Sequence, residues 1–347
     1  MLAYAFQPGG AMDLARHEEP RLRAGDVLVD VISAGVCGTD LKIARGEHRR
    51  FPPGTHRIPG HELVGRVATA GGTPTGPAVG DLVAVAPNMA CDTCGPCRRG
   101  RGNLCASYEA LGLTVNGAFA QRVRIPARAV AQGNVVPLAA DVDPDLAVLM
   151  EPVAAVLRGL DAVALDKGDT LVVAGAGPTG LIALLLAKRR GVERVIVSQP
   201  SAHRRHLAGE LGADHTLDPT ACDVVAEVRR LSGGEGADVV MVTTPVGHVF
   251  AQSLEMAAVG GRVNFFAGLP PRAGRVELDA NLVHYRELTV TGTTANTTED
   301  CRRALDLLLA DPAVFAPLVT HRYPLRDAER AFADAAGGGA LKVVLHP

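Results

Sequence analysis

The chain has 347 residues, of which 47% are hydrophobic, and a formal net charge of −2 at pH 7. This length suffices for two domains with packed cores, and the small net charge argues against a nucleic acid or an anionic membrane held by bulk charge. The first residues, MLAYAFQPGG, lack a secretory signal, and no apolar run reaches the roughly 18 residues that a membrane span needs. We therefore expect a cytoplasmic protein that binds neither nucleic acid nor membranes.

Chemically versatile side chains are scattered through the first part of the chain. Cys37 follows the strand-like run VLVDVISA, His61 and Glu62 are adjacent in a glycine-flanked turn, and Glu151 comes much later. A thiolate, an imidazole and one or two carboxylates can hold Zn2+ and leave a coordination position open for chemistry. Asp40 is a candidate to accept a hydrogen bond from a zinc-bound histidine. Taken singly, each of these residues is also typical of a core or a surface.

Residues 88–106 contain four of the seven cysteines in a short, glycine-rich loop. These four are Cys91, Cys94, Cys97 and Cys105. Two-residue gaps let one loop wrap a metal ion, and four thiolates form the closed tetrahedral set of a structural Zn2+. The alternative, two disulfides or free thiols, is disfavoured by a reducing cytoplasm. The spacing therefore predicts a structural zinc lobe.

The run TLVVA is followed by a glycine-rich turn and an apolar helix. Gly175, Gly177 and Gly180 form the fingerprint of dinucleotide binding, with Pro178 and Thr179 inside it. The glycines allow a tight turn, close approach of the pyrophosphate and packing of the helix on the strand, while the helix N-terminus favours phosphate charge. The pattern therefore predicts an NAD or NADP site.

Strand-like and helix-like runs alternate beyond this turn, and the runs are RVIVS, SAHRRHLAGELGA, CDVVAEVRRLSGG, ADVVMVTTP, HVFAQSLEMAAVGG and GRVNFFAG. This alternation predicts an α/β domain with a doubly wound parallel sheet over residues 153–289. Residues 1–152 are rich in glycine, proline and short strand-like runs, which predicts a separate, mostly β domain. Residues 290–347 are expected to return to that first domain.

The end of the second strand of the cofactor domain distinguishes NAD from NADP, because an acidic side chain there binds the ribose 2′-hydroxyl. This chain has Gln199 instead, followed by Ser201, Arg204 and Arg205. Since an arginine can pair with a 2′-phosphate, we expect NADP, or use of both cofactors. The alternative is that Gln199 binds the ribose and the arginines are solvated.

Five motifs occur in a fixed order: CGTD at Cys37, GHE at Gly60, the four-cysteine lobe, EP at Glu151 and GAGPTG at Gly175. By these motifs the chain resembles the zinc-dependent medium-chain dehydrogenase/reductases of the alcohol dehydrogenase superfamily over nearly its whole length. Glu151 before Pro152 resembles their sorbitol (polyol) and threonine dehydrogenase branch. The resemblance implies a GroES-like catalytic domain, a Rossmann cofactor domain, one catalytic and one structural Zn2+ per chain, and a homo-oligomer, either a dimer or a tetramer.

The resemblance also implies the roles of individual residues. The implied ligands of the catalytic zinc are Cys37, His61, Glu62 and, directly or through water, Glu151. Thr39 would take the substrate proton, and Asp40 would brace the histidine ligand. Relatives often carry the outer histidine of a proton relay where this chain has Lys42, so the relay is expected to end in Lys42, in His48 or in water.

Aromatic residues make up only 3% of the chain and tryptophan is absent, which argues against a bulky apolar substrate. We expect interconversion of a secondary alcohol and a ketone on a small polyol, cyclitol or amino-cyclitol. Sorbitol itself is disfavoured, because sorbitol dehydrogenases carry an Arg-Tyr pair where this chain has Ala295 and Asn296. The candidate polar contacts to the substrate are His48, Glu109, Asn116 and Asn296.

Two alternatives to a polyol dehydrogenase follow from the same sequence. The first is an amino-alcohol acid such as threonine, whose carboxylate would need Arg49, Arg50 or Arg57. The second, less favoured, is a non-catalytic nucleotide-binding protein on the same fold. That alternative predicts loss of metal ligands or of the glycine fingerprint, and the sequence retains both.

Overall fold

The computed structural model describes residues 1–70, 76–270 and 273–347. The strands are β1 (Leu2–Phe6), β2 (Met12–Arg16), β3 (Val27–Val36), β4 (Glu62–Thr69), β5 (Leu82–Val85), β6 (Asn88–Met89), β7 (Glu109–Ala110), β8 (Arg122–Ile125), β9 (Val135–Pro137), β10 (Thr170–Ala174), β11 (Arg194–Ser198), β12 (His215–Leu217), β13 (Ala237–Val242), β14 (Ala257–Phe265), β15 (Thr289–Gly292), β16 (Val319–Pro324) and β17 (Lys342–His346). The helices are α1 (Gly38–Ala44), α2 (Gly95–Arg98), α3 (Ala127–Ala131), α4 (Pro144–Ala147), α5 (Met150–Ala162), α6 (Pro178–Arg189), α7 (Ala202–Glu210), α8 (Val224–Leu231), α9 (Gly247–Met256), α10 (Ala280–Tyr285), α11 (Thr298–Ala310), α12 (Pro312–Phe315) and α13 (Ala328–Ala336). Short 3-10 helices cover Gly102–Leu104, Ala316–Leu318 and Leu325–Asp327.

These elements form two units. Unit 1 comprises Met1–Ala154 and Ala295–Pro347, and unit 2 comprises Ala155–Thr294. Among the helices that the structure describes, none combines the length and the apolar character needed to cross a membrane.

Unit 2 is the doubly wound α/β domain that the sequence predicts. Its six parallel strands lie in the order β12-β11-β10-β13-β14-β15, which is the strand order of a Rossmann fold. All five residues of the central strand β10 are buried, as expected for a parallel strand that is covered on both faces. The carboxyl end of β10 leads directly into the glycine-rich turn before α6.

Two predicted boundaries in unit 2 differ from the structure. The helix predicted through the run AAVGG ends at Met256, because residues 257–265 form β14 and pair with β13 inside the sheet. The domain end predicted at residue 289 falls on β15, which pairs in parallel with β14. Unit 2 therefore includes this last strand and ends at Thr294.

Unit 1 is the GroES-like, mostly β domain. Its main sheet has the order β16-β17-β3-β4-β5-β9, and β8 also pairs with β3. The core of this unit includes Val29, Val83, Phe119 and Val343, all of which are buried. Strand β3 is antiparallel to both β4 and β17, so its carboxyl end lies beside the first residues of these two neighbours.

Candidate active site

Three of the predicted zinc ligands meet where β3 ends and β4 begins. Cys37 follows the last residue of β3, while His61 precedes β4 and Glu62 opens it. The antiparallel register pairs Gly35 with Glu62, and this pairing brings the three side chains together. One ligand atom from each of Cys37, His61 and Glu62 lies within 4.8 Å of the other two. A thiolate, an imidazole and a carboxylate so close together form a donor set suited to Zn2+.

Asp40 lies on α1 and faces the imidazole of His61. Asp40 Oδ2 accepts a hydrogen bond from the backbone N–H of Cys37 at 2.9 Å, while Oδ1 lies 3.6 Å from His61 Nδ1. These two facing atoms are buried, and neither has a hydrogen-bond partner within the described residues. Burial lowers the pKa of His61, but Asp40 and Cys37 outweigh it and raise that pKa well above its usual value. The surroundings of His61 therefore favour a cation, and with Nδ1 turned to Asp40 the ring keeps Nε2 for a metal.

Glu62 is paired with a lysine that the sequence analysis missed. Lys342 opens β17, and its Nζ lies 2.7 and 2.6 Å from Glu62 Oε1 and Oε2, with both side chains almost completely buried. Gly35 makes room for this carboxylate, since a Cβ there would lie 2.0 Å from Glu62 Oε2. A signal was present in the sequence, because Lys342 is one of four lysines in an arginine-rich chain and stands in the apolar run LKVVL.

Glu151 lies in the first turn of α5, outside the three-residue group around Cys37. Its Oε1 accepts a hydrogen bond from Asn296 Nδ2 at 2.7 Å. Burial raises the pKa of Glu151, His61 opposes this shift and Glu62 adds to it. Glu151 therefore interacts electrostatically with His61 and Glu62. Its binding to zinc, direct or through water, stays a prediction.

The predicted proton-transfer residues lie on α1 and in the loop that follows it. Thr39 and Lys42 are half-buried residues of α1, and His48 is half-buried in the loop. Burial and then Arg49 and Arg50 lower the pKa of His48. Its imidazole is therefore neutral at neutral pH and able to accept a proton.

The four cysteines of the predicted lobe converge around one point. Their Sγ atoms all lie within 4.8 Å of one another, with Cys97 Sγ 4.0 Å from that of Cys91 and 3.3 Å from that of Cys94. Tetrahedral thiolates around Zn2+ lie about 3.8 Å apart for a bond length of about 2.3 Å. Burial and the neighbouring Cys94 and Cys105 thiols raise the pKa of Cys97 to about 12, a penalty that a bound cation removes. The described cysteines form no disulfide, so this geometry fits a structural zinc.

The glycine-rich turn of unit 2 fits the pyrophosphate of a dinucleotide. Gly175 has a φ of +113°, and a Cβ at Gly180 would lie 1.9 Å from the carbonyl oxygen of Gly175. Gly177 is the N-cap residue of α6, which opens with Pro178 and Thr179, and it has no side chain with which to cap this helix N-terminus. The first free N–H groups of α6 are therefore available to phosphate oxygens.

Two family models match the chain, Alcohol dehydrogenase GroES-like domain over residues 23–137 and Zinc-binding dehydrogenase over residues 178–310. An L-threonine 3-dehydrogenase of Pyrococcus abyssi is 34% identical, over 97% of this chain and 96% of that protein. The chain belongs to the zinc-dependent medium-chain dehydrogenases. The family resemblance read from the five motifs is thereby confirmed.

Solved structures of the family agree with this assignment. A zinc-binding dehydrogenase of Sinorhizobium meliloti 1021 bound to NADP is 32% identical, covers 100% of this chain and 99% of its own, and superposes with a TM-score of 0.91. The 2R,3R-butanediol dehydrogenase from Bacillus subtilis is 26% identical, with coverage of 100% and 99% and a TM-score of 0.88. The protein is therefore an NAD(P)-dependent zinc alcohol dehydrogenase, and its relatives do not support the non-catalytic alternative.

The residues that follow β11, the second strand of the cofactor domain of this dehydrogenase, have different roles. The amide of Gln199 is buried, and its Oε1 accepts a hydrogen bond from the backbone N–H of Ser201 at 3.1 Å. Arg205 donates to the backbone carbonyls of Gln199 and Pro200, both at 2.7 Å, and pairs with Asp218 at 2.8 Å. Arg205 therefore holds its own loop together.

Arg204 turns instead towards the glycine-rich turn. Its guanidinium Nη1 lies 4.0 Å from the position that a Cβ would occupy at Gly177. A positive charge beside the second glycine of the fingerprint is well placed for a phosphate group.

Three of the predicted substrate contacts are placed differently from expectation. Asn296 is completely buried, so the prediction that it contacts the substrate directly is wrong. Glu109 forms an ion pair of 3.2 Å with Arg128. Asn116 lines a cavity of about 490 Å3 whose lining includes none of the candidate zinc ligands.

The arginines offered for a substrate carboxylate also differ from one another. Arg57 donates to the backbone carbonyls of Arg50 and Leu113 at 3.0 and 2.6 Å, so it holds the loop, while Arg49 is exposed. The guanidinium of Arg50 lies 5.1 Å from the centre of the Tyr108 ring, a cation–π distance.

Tyr108 connects Arg50 with the zinc-ligand region. Burial and the carboxylate of Glu151 raise the pKa of Tyr108 to about 12, and His61 and Arg50 oppose that shift. The protonated hydroxyl donates a hydrogen bond to Asn88 Oδ1. Arg50, Glu151 and His61 therefore all influence the pKa of Tyr108.

Proposed function

We propose that this protein oxidises a small secondary alcohol that carries a carboxylate, with a threonine-type amino-alcohol acid as the leading candidate. The observation that carries the proposal is the guanidinium of Arg50 at 5.1 Å from the ring of Tyr108, a residue whose pKa is influenced by Glu151 and His61. The curated relatives at 30–34% identity named L-threonine 3-dehydrogenase add support. Polyols, cyclitols and amino-cyclitols are the second candidate, supported by the likeness to a butanediol dehydrogenase.

In this proposal Cys37, His61 and Glu62 hold the catalytic zinc, with Glu151 as a further ligand. Bound Zn2+ supplies Lewis acidity, which lowers the pKa of a substrate hydroxyl. Thr39 takes the hydroxyl proton, and Lys42, His48 or water carries it onward. A nicotinamide bound at the glycine-rich turn would supply the acceptor for the hydride of the carbinol carbon with its two electrons, and the products would be a ketone and a reduced cofactor.

Replacing Arg50 by glutamine tests the substrate class. We expect KM for L-threonine to rise roughly 10- to 100-fold, because a hydrogen bond to a charged group contributes about 1.5–3 kcal/mol. KM for an uncharged diol or cyclitol should change little. The measurement is steady-state formation of reduced cofactor with L-threonine, 2,3-butanediol, sorbitol and a cyclitol.

Arg49→Gln is the matched control, since it removes the same charge from an exposed neighbour and should leave all four KM values unchanged. Turnover of diols or cyclitols without turnover of threonine would move the assignment to the second candidate. An equal loss for charged and uncharged substrates in Arg50→Gln would instead mean that Arg50 supports the loop.

We also propose that NADP is the preferred cofactor and that Arg204 binds its 2′-phosphate. The replacement Arg204→Gln is expected to raise KM for NADP roughly 10- to 100-fold and to leave KM for NAD nearly unchanged, since only NADP has the extra charged group. Titration of both cofactors by fluorescence or by initial rates measures this difference.

Arg205→Gln is the control for Arg204. It breaks the loop contacts and the ion pair with Asp218, so it should lower thermal stability without changing the ratio of the two affinities. A wild-type protein that prefers NAD, or an Arg204 variant that weakens both cofactors equally, would contradict the proposed role.

We propose unit 1 as the catalytic domain and unit 2 as the cofactor domain of a cytoplasmic homo-oligomer. The four cysteines at a spacing typical of a zinc site support a reducing compartment. The open edge of β15 and the exposed Val259 and Tyr285 support self-association. Light scattering on the purified chain measures the subunit number, and a monomer would reject this part of the proposal.

A further inference from the structure

Asn296 lies at the centre of a buried hydrogen-bond chain that ends on Glu151. Its Nδ2 donates to Glu151 Oε1 at 2.7 Å and to the Glu151 carbonyl at 3.2 Å. Its Oδ1 accepts from Asn88 Nδ2 at 2.7 Å and from Cys301 Sγ at 3.4 Å. The Tyr108 hydroxyl donates to the other end of the Asn88 amide. Both polar atoms of the Asn296 side chain are thus hydrogen-bonded to residues of unit 1.

The chain has only one consistent orientation. The backbone carbonyl of Asn296 can only accept a hydrogen bond, so the Asn88 Nδ2 that lies 3.0 Å from it must be the amide nitrogen and must donate to Asn296. Oδ1 of Asn296 then accepts, and its Nδ2 must point to Glu151. The preceding residue, Ala295, has a φ of +53°, a left-handed conformation that L residues other than glycine rarely adopt. This turn aims Asn296 inward.

We propose that Asn296 is a positioning residue that fixes the direction of the Glu151 carboxylate at the metal centre. The proposal rests on the zinc site described under the proposed function and adds a residue to it. The amide of Asn296 holds Oε1 of Glu151 at 2.7 Å and so restricts the rotation of the carboxylate, while Oε2 is left to bind a metal or its water. Residues that orient metal ligands in this way typically change metal affinity or activity by roughly 10- to 100-fold when replaced.

The experiment measures the metal rather than turnover. Co2+ would be loaded at the Cys37 site of protein that retains Zn2+ at the four cysteines, and its absorption spectrum and chelator-competition affinity would be recorded. The variants are Asn296→Leu, Asn296→Ser and Glu151→Ala. The matched control is Asn264→Leu, which removes an equally buried amide in unit 2, where Nδ2 donates to the Gly159 carbonyl at 2.7 Å.

We expect both Asn296 variants to shift the Co2+ bands in the same direction as Glu151→Ala and to weaken binding roughly 10- to 100-fold, while Asn264→Leu leaves both readouts at the parent values. If the leucine variant does not fold, the smaller serine variant carries the test. A shift in Glu151→Ala without one in the Asn296 variants would overturn the inference and leave the proposed centre standing. No shift in Glu151→Ala would overturn both the inference and the place of Glu151 at the metal.

Discussion

In protein whose Cys37 site is kept free of metal, replacing Lys342 by methionine should destabilise unit 1 by about 3–5 kcal/mol, because it leaves the carboxylate of Glu62 buried without its partner. The two side chains are 3% and 0% exposed, so water cannot replace the lost ammonium. A loss of this size is a large fraction of the roughly 5–15 kcal/mol by which a domain is stable. Denaturant unfolding followed by circular dichroism measures it.

The pH dependence of this effect follows from the pKa of Lys342. Burial lowers that pKa, but Glu62 and Cys37 outweigh it and raise the value above the usual 10.5. Stability from a raised pKa is fully present below the unfolded value and is lost only as the pH rises through the folded one. The stability contributed by the ammonium of Lys342 is therefore constant around neutral pH and declines in strong alkali.

A surface pair provides the comparison for Lys342. Lys188 pairs with Asp214 at 3.0 Å, and both side chains are 34% exposed, so Lys188→Met should cost less than about 1 kcal/mol. The double variant Lys342→Met with Glu62→Gln should recover part of the loss, since no buried charge is then unpaired. If Lys342→Met costs no more than Lys188→Met, the buried pair does not have the stabilising role assigned to it.

The parts of the site that sequence analysis predicted are those encoded locally. The four cysteines fall between residues 91 and 105, and the glycine fingerprint lies in one strand–turn–helix segment, so spacing alone indicates their geometry. The cluster at Cys37 required family resemblance, because the residues reach it from two strands and spacing does not show that strands pair. The edge strand β15 was missed as part of the sheet because TVTG is short and carries no run of apolar residues.

The contacts that sequence analysis missed join residues that are far apart in the chain. Lys342 reaches Glu62 across 280 positions, and Asn296 reaches Glu151 across 145. Such contacts follow from sheet order and loop direction, which no local pattern in this chain encodes. Asn296 shows the consequence, since a polar residue in a loop suggested a substrate contact, whereas the fold buries it completely.

The replacement His61→Asn is expected to lower kcat/KM by at least about 1,000-fold while the protein stays folded. The Lewis acid that His61 would help to hold contributes several kcal/mol to the barrier, and each 1.36 kcal/mol corresponds to about tenfold in rate. Asparagine retains an amide that can donate to Asp40, so the core around α1 keeps a polar partner. Turnover and zinc content of the same preparation are measured together, and zinc should fall from two ions per chain to one.

The replacement Cys105→Ser tests the four-cysteine site independently of the site at Cys37. It removes one of four converging thiols, and Cys105 Sγ also accepts the backbone N–H of Cys91 at 3.1 Å, so the lobe should unfold at a lower temperature. Because this residue contributes nothing to the cluster at Cys37, rates at low temperature should fall far less than in His61→Asn. Full activity in zinc-depleted His61→Asn would refute a catalytic metal at Cys37, since the same chemistry would then proceed without it.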